Sequence, residues 1–367
     1  MEEIYLFNPD HDLAQAQGGS HYIAPEFARQ LQHDLAVLPM WYAPSGAMIV
    51  VPDEATRQWA QRARPGVRPI VAAEVASHAH STCMPWGWNL VERKRLIKLG
   101  ASPQCMPQER SLRHLRDISH RRTTIVLHRE LERRLGMPFS PIPQEFSQWE
   151  DVQRFAQGHP GCYVKTPWSG SGQGVYHVID PGDPYLANWC KGALRRQGSL
   201  LCEVGLKRTM DFALEYYCDG QGGIDMAGYS IFSSDFHSQY STALVDSPSH
   251  LHGIIAAQYP AIDKIGDCLQ GILATMVAPH YHGYLGIDML LYRDGGETKI
   301  DPCVEMNLRS TMGVVTSALG KRLGRKGQFK IAYSKNGFQP REDENRLYLT
   351  PILAGTQYCA YIGFSTV

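Results

Sequence analysis

The chain has 367 residues, with 36 lysines and arginines against 36 aspartates and glutamates, so its formal net charge is zero. The lack of a basic excess argues against a protein that binds nucleic acid through phosphate contacts. A hydrophobic fraction of 43% with 20% charged residues argues against a largely disordered chain. No uncharged apolar run approaches the roughly 18 residues of a membrane span. The acidic start, with no long apolar segment after it, does not have the pattern of a signal peptide.

The cysteines give a further indication of the compartment. There are nine of them, an odd number, and no two are spaced as C-x-x-C. This pattern favours neither a disulfide framework nor a zinc site. Most lie in apolar contexts typical of small core residues, and we expect a reducing, cytoplasmic location.

The N-terminal part of the chain predicts a parallel α/β layer. Short apolar runs at residues 4–7, 48–51 and 69–73 are typical of strands. Between the second and third lies a helical stretch at 54–64, which Asp53 can cap. Because strands alternate with helices, we expect a parallel sheet over roughly residues 1–105.

The rest of the chain predicts helices followed by many short strands. Residues 108–135 indicate two helices, or one that is broken near Ser119. A helix at 147–157 carries a capping box, with Ser147 as cap and Glu150 three residues later. A helical block is expected at 254–279. The turn at 294–296 joins two predicted strands, and the predicted strands of this region are 162–166, 174–178, 200–204, 211–218, 226–232, 284–292 and 298–306.

A lysine followed by a glycine-rich loop is the most informative motif. A strand delivers Lys165, the loop from Ser169 to Gly174 follows, and Val175 begins a return strand. Glycines let backbone N–H groups approach an anion closely, and lysine is a point charge suited to phosphate. The lysine precedes the glycines, so this is not a Walker A loop, and the following strand excludes a dinucleotide fingerprint. The alternative is a plain β-hairpin with a surface lysine.

The second motif consists of acidic and amide side chains on two paired strands. Asp288 lies in an apolar strand, and Glu305, Asn307 and Arg309 follow at alternate positions. Alternate residues of a strand share one face, so these three side chains point the same way. Asp288 and Glu305 lie on strands joined by a short turn, so they can face each other across the strand pair. Carboxylate and amide oxygens suit Mg²⁺. The alternative is a solvated strand face.

Two further segments remain open. The polar run Asp10-His11-Asp12 follows the first strand, where ligands of α/β sheets often bind, but it is also typical of a turn and helix cap. Trp86-Gly87-Trp88-Asn89 either lines a pocket or packs in a core.

Taken in order, the lysine, its glycine loop, Glu203 at a strand end, Asp288 and the E-x-N-x-R run at 305–309 resemble the ATP-grasp superfamily over roughly residues 116–320. The resemblance implies an α/β protein with α+β lobes: an ATP-grasp fold behind an N-terminal Rossmann-like pre-ATP-grasp domain. It implies a pre-ATP-grasp domain at 1–115, a small lobe with the glycine-rich loop at 116–198, a large lobe with the metal site at 199–340, and C-terminal strands at 341–367 that complete the fold.

The resemblance also implies roles for residues. Lys165 and the loop would bind the ATP phosphates, and the hinge acid Glu203 would present the adenine-reading backbone near Val204. A carboxylate for the ribose would be Asp211, with Glu215 as the alternative. Asp288, Glu305 and Asn307 would bind Mg²⁺, with two ions expected and Mn²⁺ as an alternative metal, and Arg309 would steady the transferring phosphate. The implied phosphate-loop residues are Ser169, Gly170, Ser171, Gly172 and Gly174.

One departure from the family pattern is a missing lysine in the small lobe before the glycine loop. Residues 119–124 occupy its place, and either Arg121 or Arg122 can substitute, since arginine also pairs with phosphate. Arg122 is the assigned candidate. Either arginine is equally typical of a solvated helix face.

The resemblance implies a ligase that joins a small-molecule carboxylate to an amine or other nucleophile through an acyl phosphate. The alternatives are an ATP-dependent kinase on the same scaffold and a non-catalytic nucleotide-binding protein. We expect neither a nucleic-acid nor a membrane partner, and a homodimer is a common default.

Overall fold

The computed structural model describes residues 2–170, 174–234, 240–339 and 344–364, and their strands form three sheets. Within these ranges no helix is long and apolar enough to cross a bilayer. The α-helices are α1 (His11–Gln17), α2 (Glu26–Asp34), α3 (Glu54–Ala63), α4 (Leu90–Lys98), α5 (Glu109–Ile118), α6 (Arg122–Leu135), α7 (Trp149–Gly158), α8 (Pro184–Gln197), α9 (Pro248–Gln258), α10 (Ile262–Met276) and α11 (Met312–Leu323).

The first sheet is parallel, as the sequence predicts. Its order is β3-β2-β1-β4, so the chain adds strands on one side of β1 and then crosses to the other. Asp53 caps α3 by accepting a hydrogen bond from the backbone N–H of Thr56, as predicted. The fourth strand was not predicted, because it has only four residues and polar residues precede it, so it shows no clear apolar pattern. The strands are β1 (Glu3–Leu6), β2 (Met48–Val51), β3 (Arg68–Val71) and β4 (Thr82–Pro85).

The second sheet is small and antiparallel, with the order β5-β8-β6-β7. Its core consists of aliphatic, aromatic and cysteine side chains from α7, α8 and the sheet. The predicted capping box is wrong: α7 begins at Trp149, and Gln148, its N-cap residue, makes no side-chain capping bond. The strands are β5 (Gln144–Phe146), β6 (Tyr163–Lys165), β7 (Val175–His177) and β8 (Leu200–Glu203).

The third sheet has eight strands in the order β13-β12-β9-β10-β11-β14-β16-β15. Its first three strands bear the two acidic positions of the second motif and the predicted ribose carboxylate, and helices α10 and α11 pack against the sheet. The C-terminal strands extend this same sheet. The strands are β9 (Arg208–Asp219), β10 (Ile224–Ser234), β11 (Tyr240–Val245), β12 (His282–Asp294), β13 (Glu297–Asn307), β14 (Gly327–Tyr333), β15 (Arg346–Tyr348) and β16 (Tyr358–Gly363).

Two details refine the sequence predictions. The helical block at 254–279 is two helices, α9 and α10, and the region 108–135 is two helices separated at residues 119–121. Residues 200–203 were expected in the large lobe, whereas β8 pairs with β5 and β6 of the small sheet. The four-part division of the chain otherwise stays a prediction.

Candidate functional site

A cleft lies between the small antiparallel sheet and the first strands of the eight-stranded sheet. The space inside it, open solvent included, is about 920 Å³. One wall comes from β6–β8 and the other from β9, β10, β12 and β13, so apolar and charged side chains face each other across it. The lining residues are Arg121, Pro141, Tyr163, Lys165, Val175, Glu203, Val204, Leu206, Arg208, Asp211, Phe232, Asp288, Met289, Leu290, Asp301, Val304 and Glu305.

Lys165 and Glu203 form a buried ion pair in this cleft. They stand on the neighbouring strands β6 and β8, and their side chains are only 9% and 14% exposed. Burial raises the pKa of the Glu203 carboxyl, against the charge and hydrogen bond of Lys165, which act to lower it. One carboxylate oxygen, Oε1, is buried without a hydrogen-bond partner. The lysine therefore holds a carboxylate that is incompletely satisfied by the protein.

Arg121, rather than Arg122, lines the cleft. The Arg121 guanidinium is 4% exposed and donates from Nη1 to the backbone oxygen of Thr166 (2.6 Å) and to Ser169 Oγ (2.8 Å), and from Nη2 to Glu305 Oε1 (2.7 Å). The Arg122 side chain is 54% exposed and contacts Glu145 Oε1 at 3.2 Å, outside the cleft. The helix break at residues 119–121 points the first of the two arginines inward. The assignment of Arg122 to ATP stays a prediction that this geometry does not favour.

The described part of the glycine loop is tightly packed. The backbone N–H of Thr166 donates to the carbonyl of Gly174 at 2.8 Å, which closes the base of the hairpin. A Cβ atom at Gly174 would overlap the side chains of Thr166 and Ser169, so the position requires glycine. Ser171 and Gly172, also predicted to bind phosphate, lie outside the described residues.

The hinge positions Val204 and Asp211 both line the cleft, and their roles in nucleotide binding stay predictions. Burial raises the pKa of Asp211, opposed by Arg208, whose guanidinium lies 3.6 Å away. The alternative ribose carboxylate, Glu215, does not line the cleft. It is 1% exposed and accepts hydrogen bonds from Ser230 Oγ (3.1 Å) and Thr311 Oγ1 (2.9 Å).

Asp288 and Glu305 are directly opposite each other in the β12–β13 ladder, as the sequence predicts. Burial raises the pKa of Asp288 well above its usual range, and the nearby charges of Glu305 and Glu215 add to this effect. A hydrogen bond from Asn307 to Asp288 acts in the opposite direction and lowers that pKa. Two carboxylates held this close repel each other, and a cation between them would relieve the repulsion.

The donor set of this carboxylate pair fits Mg²⁺. In the described ranges no group of three or more His, Cys, Asp or Glu side chains is arranged around a common point. Mg²⁺ is usually held by one or two carboxylates together with substrate phosphates and water. Asp288 and Glu305 supply such a pair. The oxygen of Asn307 already accepts a hydrogen bond from Arg309 Nη2 at 2.9 Å.

Arg309 follows β13 and is held by an acid from the other end of the chain. Its Nε and Nη2 atoms each lie 2.9 Å from Asp12 Oδ2, and its Nη1 donates to the backbone oxygen of Ser310 at 3.2 Å. Asp12 belongs to α1, at the start of the parallel layer. The polar run at residues 10–12 is thus part of the site's surroundings rather than only a helix start.

Sequence reasoning missed one buried pair at the cleft, formed by Asp301 and His128. His128 Nε2 lies 3.1 Å from Asp301 Oδ1, and its side chain is fully buried. Burial acts to lower the pKa of His128, but the hydrogen bond and charge of Asp301 outweigh it, so the pKa is raised. The sequence did offer a signal for Asp301: it lies four residues before Glu305 on the same strand, at the spacing of side chains that share one face.

Comparisons with known proteins support the architecture. No protein-family model matches the chain, and no curated protein matches it. Solved structures do. The biotin carboxylase domain of the Hydrogenobacter thermophilus 2-oxoglutarate carboxylase, solved with MgADP, ADP and bicarbonate, has a TM-score of 0.54 at 11% identity, covering 99% of this chain and 86% of that one.

Two further structures give the same result. Biotin carboxylase from Campylobacter jejuni, solved with a β,γ-ATP ligand, has a TM-score of 0.53 at 12% identity over 99% of this chain and 87% of that one. N5-carboxyaminoimidazole ribonucleotide synthetase from Thermus thermophilus has a TM-score of 0.52 at 14% identity over 100% of this chain and 94% of that one. At these identities the likeness shows the fold alone. It confirms the fold prediction: the chain has the ATP-grasp fold, preceded by an N-terminal α/β domain.

Proposed function

We propose that this protein is an ATP- and Mg²⁺-dependent ligase that activates a small-molecule carboxylate as an acyl phosphate and transfers the acyl group to an amine. One observation carries the proposal. A single cleft brings a buried lysine and arginine together with a half-buried pair of facing carboxylates, Asp288 and Glu305. Cations for phosphate oxygens and oxygen ligands for a divalent ion are the two requirements of phosphoryl transfer.

The proposed reaction has two steps. A carboxylate oxygen of the substrate attacks the γ-phosphorus, the bond to the β-phosphate oxygen breaks, and ADP leaves. The amine nitrogen then attacks the acyl carbon, inorganic phosphate leaves with the bonding electrons, and the amine proton passes to solvent. The acyl phosphate must be shielded from water, and the packed base of the glycine loop above the cleft suits that task.

The residues of the cleft, and Arg309, which does not line it, would have separate roles. Lys165 and Arg121 would bind phosphate oxygens, Asp211 would accept hydrogen bonds from ribose hydroxyls, and Arg309 would stabilise the charge that develops during transfer. Asp288 and Glu305 would hold Mg²⁺, which supplies charge neutralisation at the phosphates when bound. The apolar slot for a base is lined by Val204, Leu206, Phe232 and Met289.

The structures solved with nucleotides support the choice of substrate. The similar Hydrogenobacter domain was solved with MgADP and bicarbonate, and the Campylobacter enzyme with a β,γ-ATP ligand. We extend nucleotide and Mg²⁺ use to this chain on the strength of the cleft. We propose two bound Mg²⁺ ions, and the substrate screen is designed to identify the carboxylate.

The test is a substrate screen with the purified protein. Amino acids and small dicarboxylates are offered with ATP and Mg²⁺, each with and without an amine, and ADP release is followed. We expect release that depends on one carboxylate, and a product whose mass equals the condensed pair less one water. The Glu305→Gln variant, which keeps the shape of the side chain, is the matched control and should be inactive.

The outcomes separate the alternatives. A phosphorylated hydroxyl product without condensation would identify a kinase on the same scaffold. Nucleotide binding by calorimetry without turnover for any substrate would identify a non-catalytic nucleotide-binding protein. Failure to bind ATP in the presence of Mg²⁺ would refute the assignment of the cleft.

A further inference from the structure

The N-terminal α1 helix contributes a carboxylate that contacts Arg309. Asp12 and Arg309 are 297 positions apart, yet Oδ2 of the acid lies 2.9 Å from both Nε and Nη2 of the arginine. Their side chains are 22% and 17% exposed. One carboxylate oxygen that contacts both nitrogens on one edge of a planar guanidinium restricts how that group can rotate.

Both members of this pair are anchored to one loop, residues 86–89 after β4. The backbone N–H of Ser310, next to Arg309, donates to the carbonyl of Trp86 at 2.8 Å. On the other side, Asn8 Nδ2 donates to the carbonyl of Gly87 at 2.8 Å, and the N–H of Gly87 donates back to Asn8 Oδ1 at 3.1 Å. The loop at residues 86–89 therefore holds the segments that carry Asp12 and Arg309 at a fixed separation.

His11 completes the anchoring of α1. Its ring is 2% exposed and packs directly on Gly87, where any Cβ atom would collide with it. Its Nδ1 lies 3.1 Å from Asn89 Nδ2, and Asn89 also caps α4 through the N–H of Glu92. The residue before Asp12 is thus immobilised, which leaves the carboxylate little freedom to leave Arg309.

The glycine loop also reaches this carboxylate. A Cβ atom built on Gly170 would lie 2.6 Å from Asp12 Oδ2 and 3.3 Å from Asp12 Cβ. The first distance is closer than atoms tolerate, so a side chain at residue 170 would have to push the carboxylate away from the guanidinium. Gly170 has no positive φ angle, so the requirement for glycine comes from this contact.

We propose that Asp12 is a positioning residue, which orients Arg309 for phosphoryl transfer, and that Gly170 is glycine because the Asp12 carboxylate occupies the space of a side chain. The role in turnover rests on the proposed ligase function, whereas the orientation of Arg309 does not. Asp12 stands outside the lining of the cleft, which separates it from the residues that would bind nucleotide.

The first experiment reads the orientation directly. In ¹⁵N-labelled protein, the Nε–H signal of Arg309 is assigned as the arginine side-chain signal that Arg309→Lys removes. We expect a signal protected from exchange with water in the wild type, and its loss or displacement in both Asp12→Ala and Gly170→Ala. Asp10→Asn, a change of the neighbouring acid in the same turn, is the matched control and should leave the signal in place.

The second experiment measures kcat and the ATP dissociation constant separately. With the carboxylate found by the substrate screen, Asp12→Ala should lower kcat by roughly 10²-fold, the scale of a catalytic group displaced by about 1 Å, while the ATP dissociation constant stays within about threefold of the wild type. Asp12→Glu should recover part of the rate. Because Gly170→Ala acts on the same contact, the double variant should be no slower than the slower single variant.

The two experiments fail independently. An Arg309 signal that is unchanged in Asp12→Ala overturns the inference, whatever reaction the enzyme catalyses. Additive losses in the double variant, or a loss confined to the ATP dissociation constant, also overturn it. If the wild type turns over no carboxylate, the ligase function fails, and the Arg309 signal alone then decides whether Asp12 orients the arginine.

Discussion

Replacing Lys165 with alanine should weaken nucleotide binding and destabilise the small sheet at the same time. The lysine is paired with Glu203, and the two side chains are 9% and 14% exposed. Removing one partner of a buried ion pair leaves the other charge unpaired and costs about 3–5 kcal/mol. The midpoint of thermal unfolding should fall by roughly 4–7 °C, because the entropy of unfolding is about 0.8 kcal/mol/K for a chain of this length. A lost charged contact to phosphate, worth about 1.5–3 kcal/mol, should raise the ATP dissociation constant at least about tenfold.

A second substitution separates these two effects. In the double variant Lys165→Ala with Glu203→Gln, the unpaired charge is gone, so most of the stability should return while ATP binding stays weak. The matched control is Lys191→Ala on α8, which removes an exposed lysine of the same lobe and should change neither quantity. Thermal unfolding by circular dichroism and titration calorimetry with ATP and Mg²⁺ measure the two effects on the same samples.

The stability effect should also depend on pH. Burial raises the pKa of Glu203 above its value in an unfolded chain, so its charged form opposes folding and its protonation removes that cost. Without the lysine, the deficit should be largest at high pH and should shrink as the pH falls toward the raised pKa of the folded protein. ATP binding indistinguishable from that of the wild type, or a deficit that grows as the pH falls, would refute the reasoning.

Three further predictions concern the opposite wall and the core beside it. Asp288→Asn should abolish turnover with the fold intact, because it removes one of two facing oxygen ligands; a nucleotide complex with Mg²⁺ bound elsewhere would contradict this. Arg309→Lys should keep ATP affinity within a few-fold but cut the rate by roughly 10²-fold, whereas a purely structural role would lower the melting temperature and spare the rate. His128, whose pKa Asp301 holds above its usual value, stabilises the fold fully below the unfolded pKa of about 6.5 and loses that contribution as the pH rises through the folded pKa. The free energy of unfolding is measured in urea at pH values from below the unfolded pKa to above the folded pKa. Over this range it should fall more steeply with rising pH in the wild type than in His128→Gln.

The sequence alone specifies the parts of the site that are local in the chain. The strand run ending at residue 165 and the glycines after it predict a hairpin, and the alternation of 305, 307 and 309 predicts a shared strand face. The pairing of Asp288 with Glu305 follows from the short turn at Gly295 and Gly296, both of which have positive φ angles that favour glycine. Local geometry of this kind depends only on residues close in sequence.

Long-range contacts were not predictable in the same way. Choosing between Arg121 and Arg122 requires the rotation of α6 against the cleft, which a one-residue difference in sequence does not reveal. The pairing of Asp12 with Arg309 depends on two separate loops that both bind to residues 86–89. The two indole rings in that segment are buried, and the segment supports the site through its backbone and through the Asn89 side chain.

Lys165, Arg121, Arg208 and Arg309 each contact an acidic side chain in the structure. These contacts should affect how ATP binds in the absence of metal. Arg121 Nη2 lies 2.7 Å from Glu305 Oε1, so a phosphate group that binds this arginine competes with the acid. Bound Mg²⁺ would be held by Glu305, and that acid would then compete less with phosphate for the arginine. When Mg²⁺ is absent, the competition between Glu305 and phosphate persists.

Glu305→Gln keeps the size of the side chain but removes its charge. In the presence of EDTA, we therefore expect ATP to bind the variant about three- to tenfold more tightly than it binds the wild type, a gain of about 0.7–1.4 kcal/mol. With Mg²⁺ the same variant should lose turnover. Calorimetry with and without EDTA measures both sides of this reversal, and weaker binding of ATP to the variant in EDTA would show that Glu305 does not restrain Arg121.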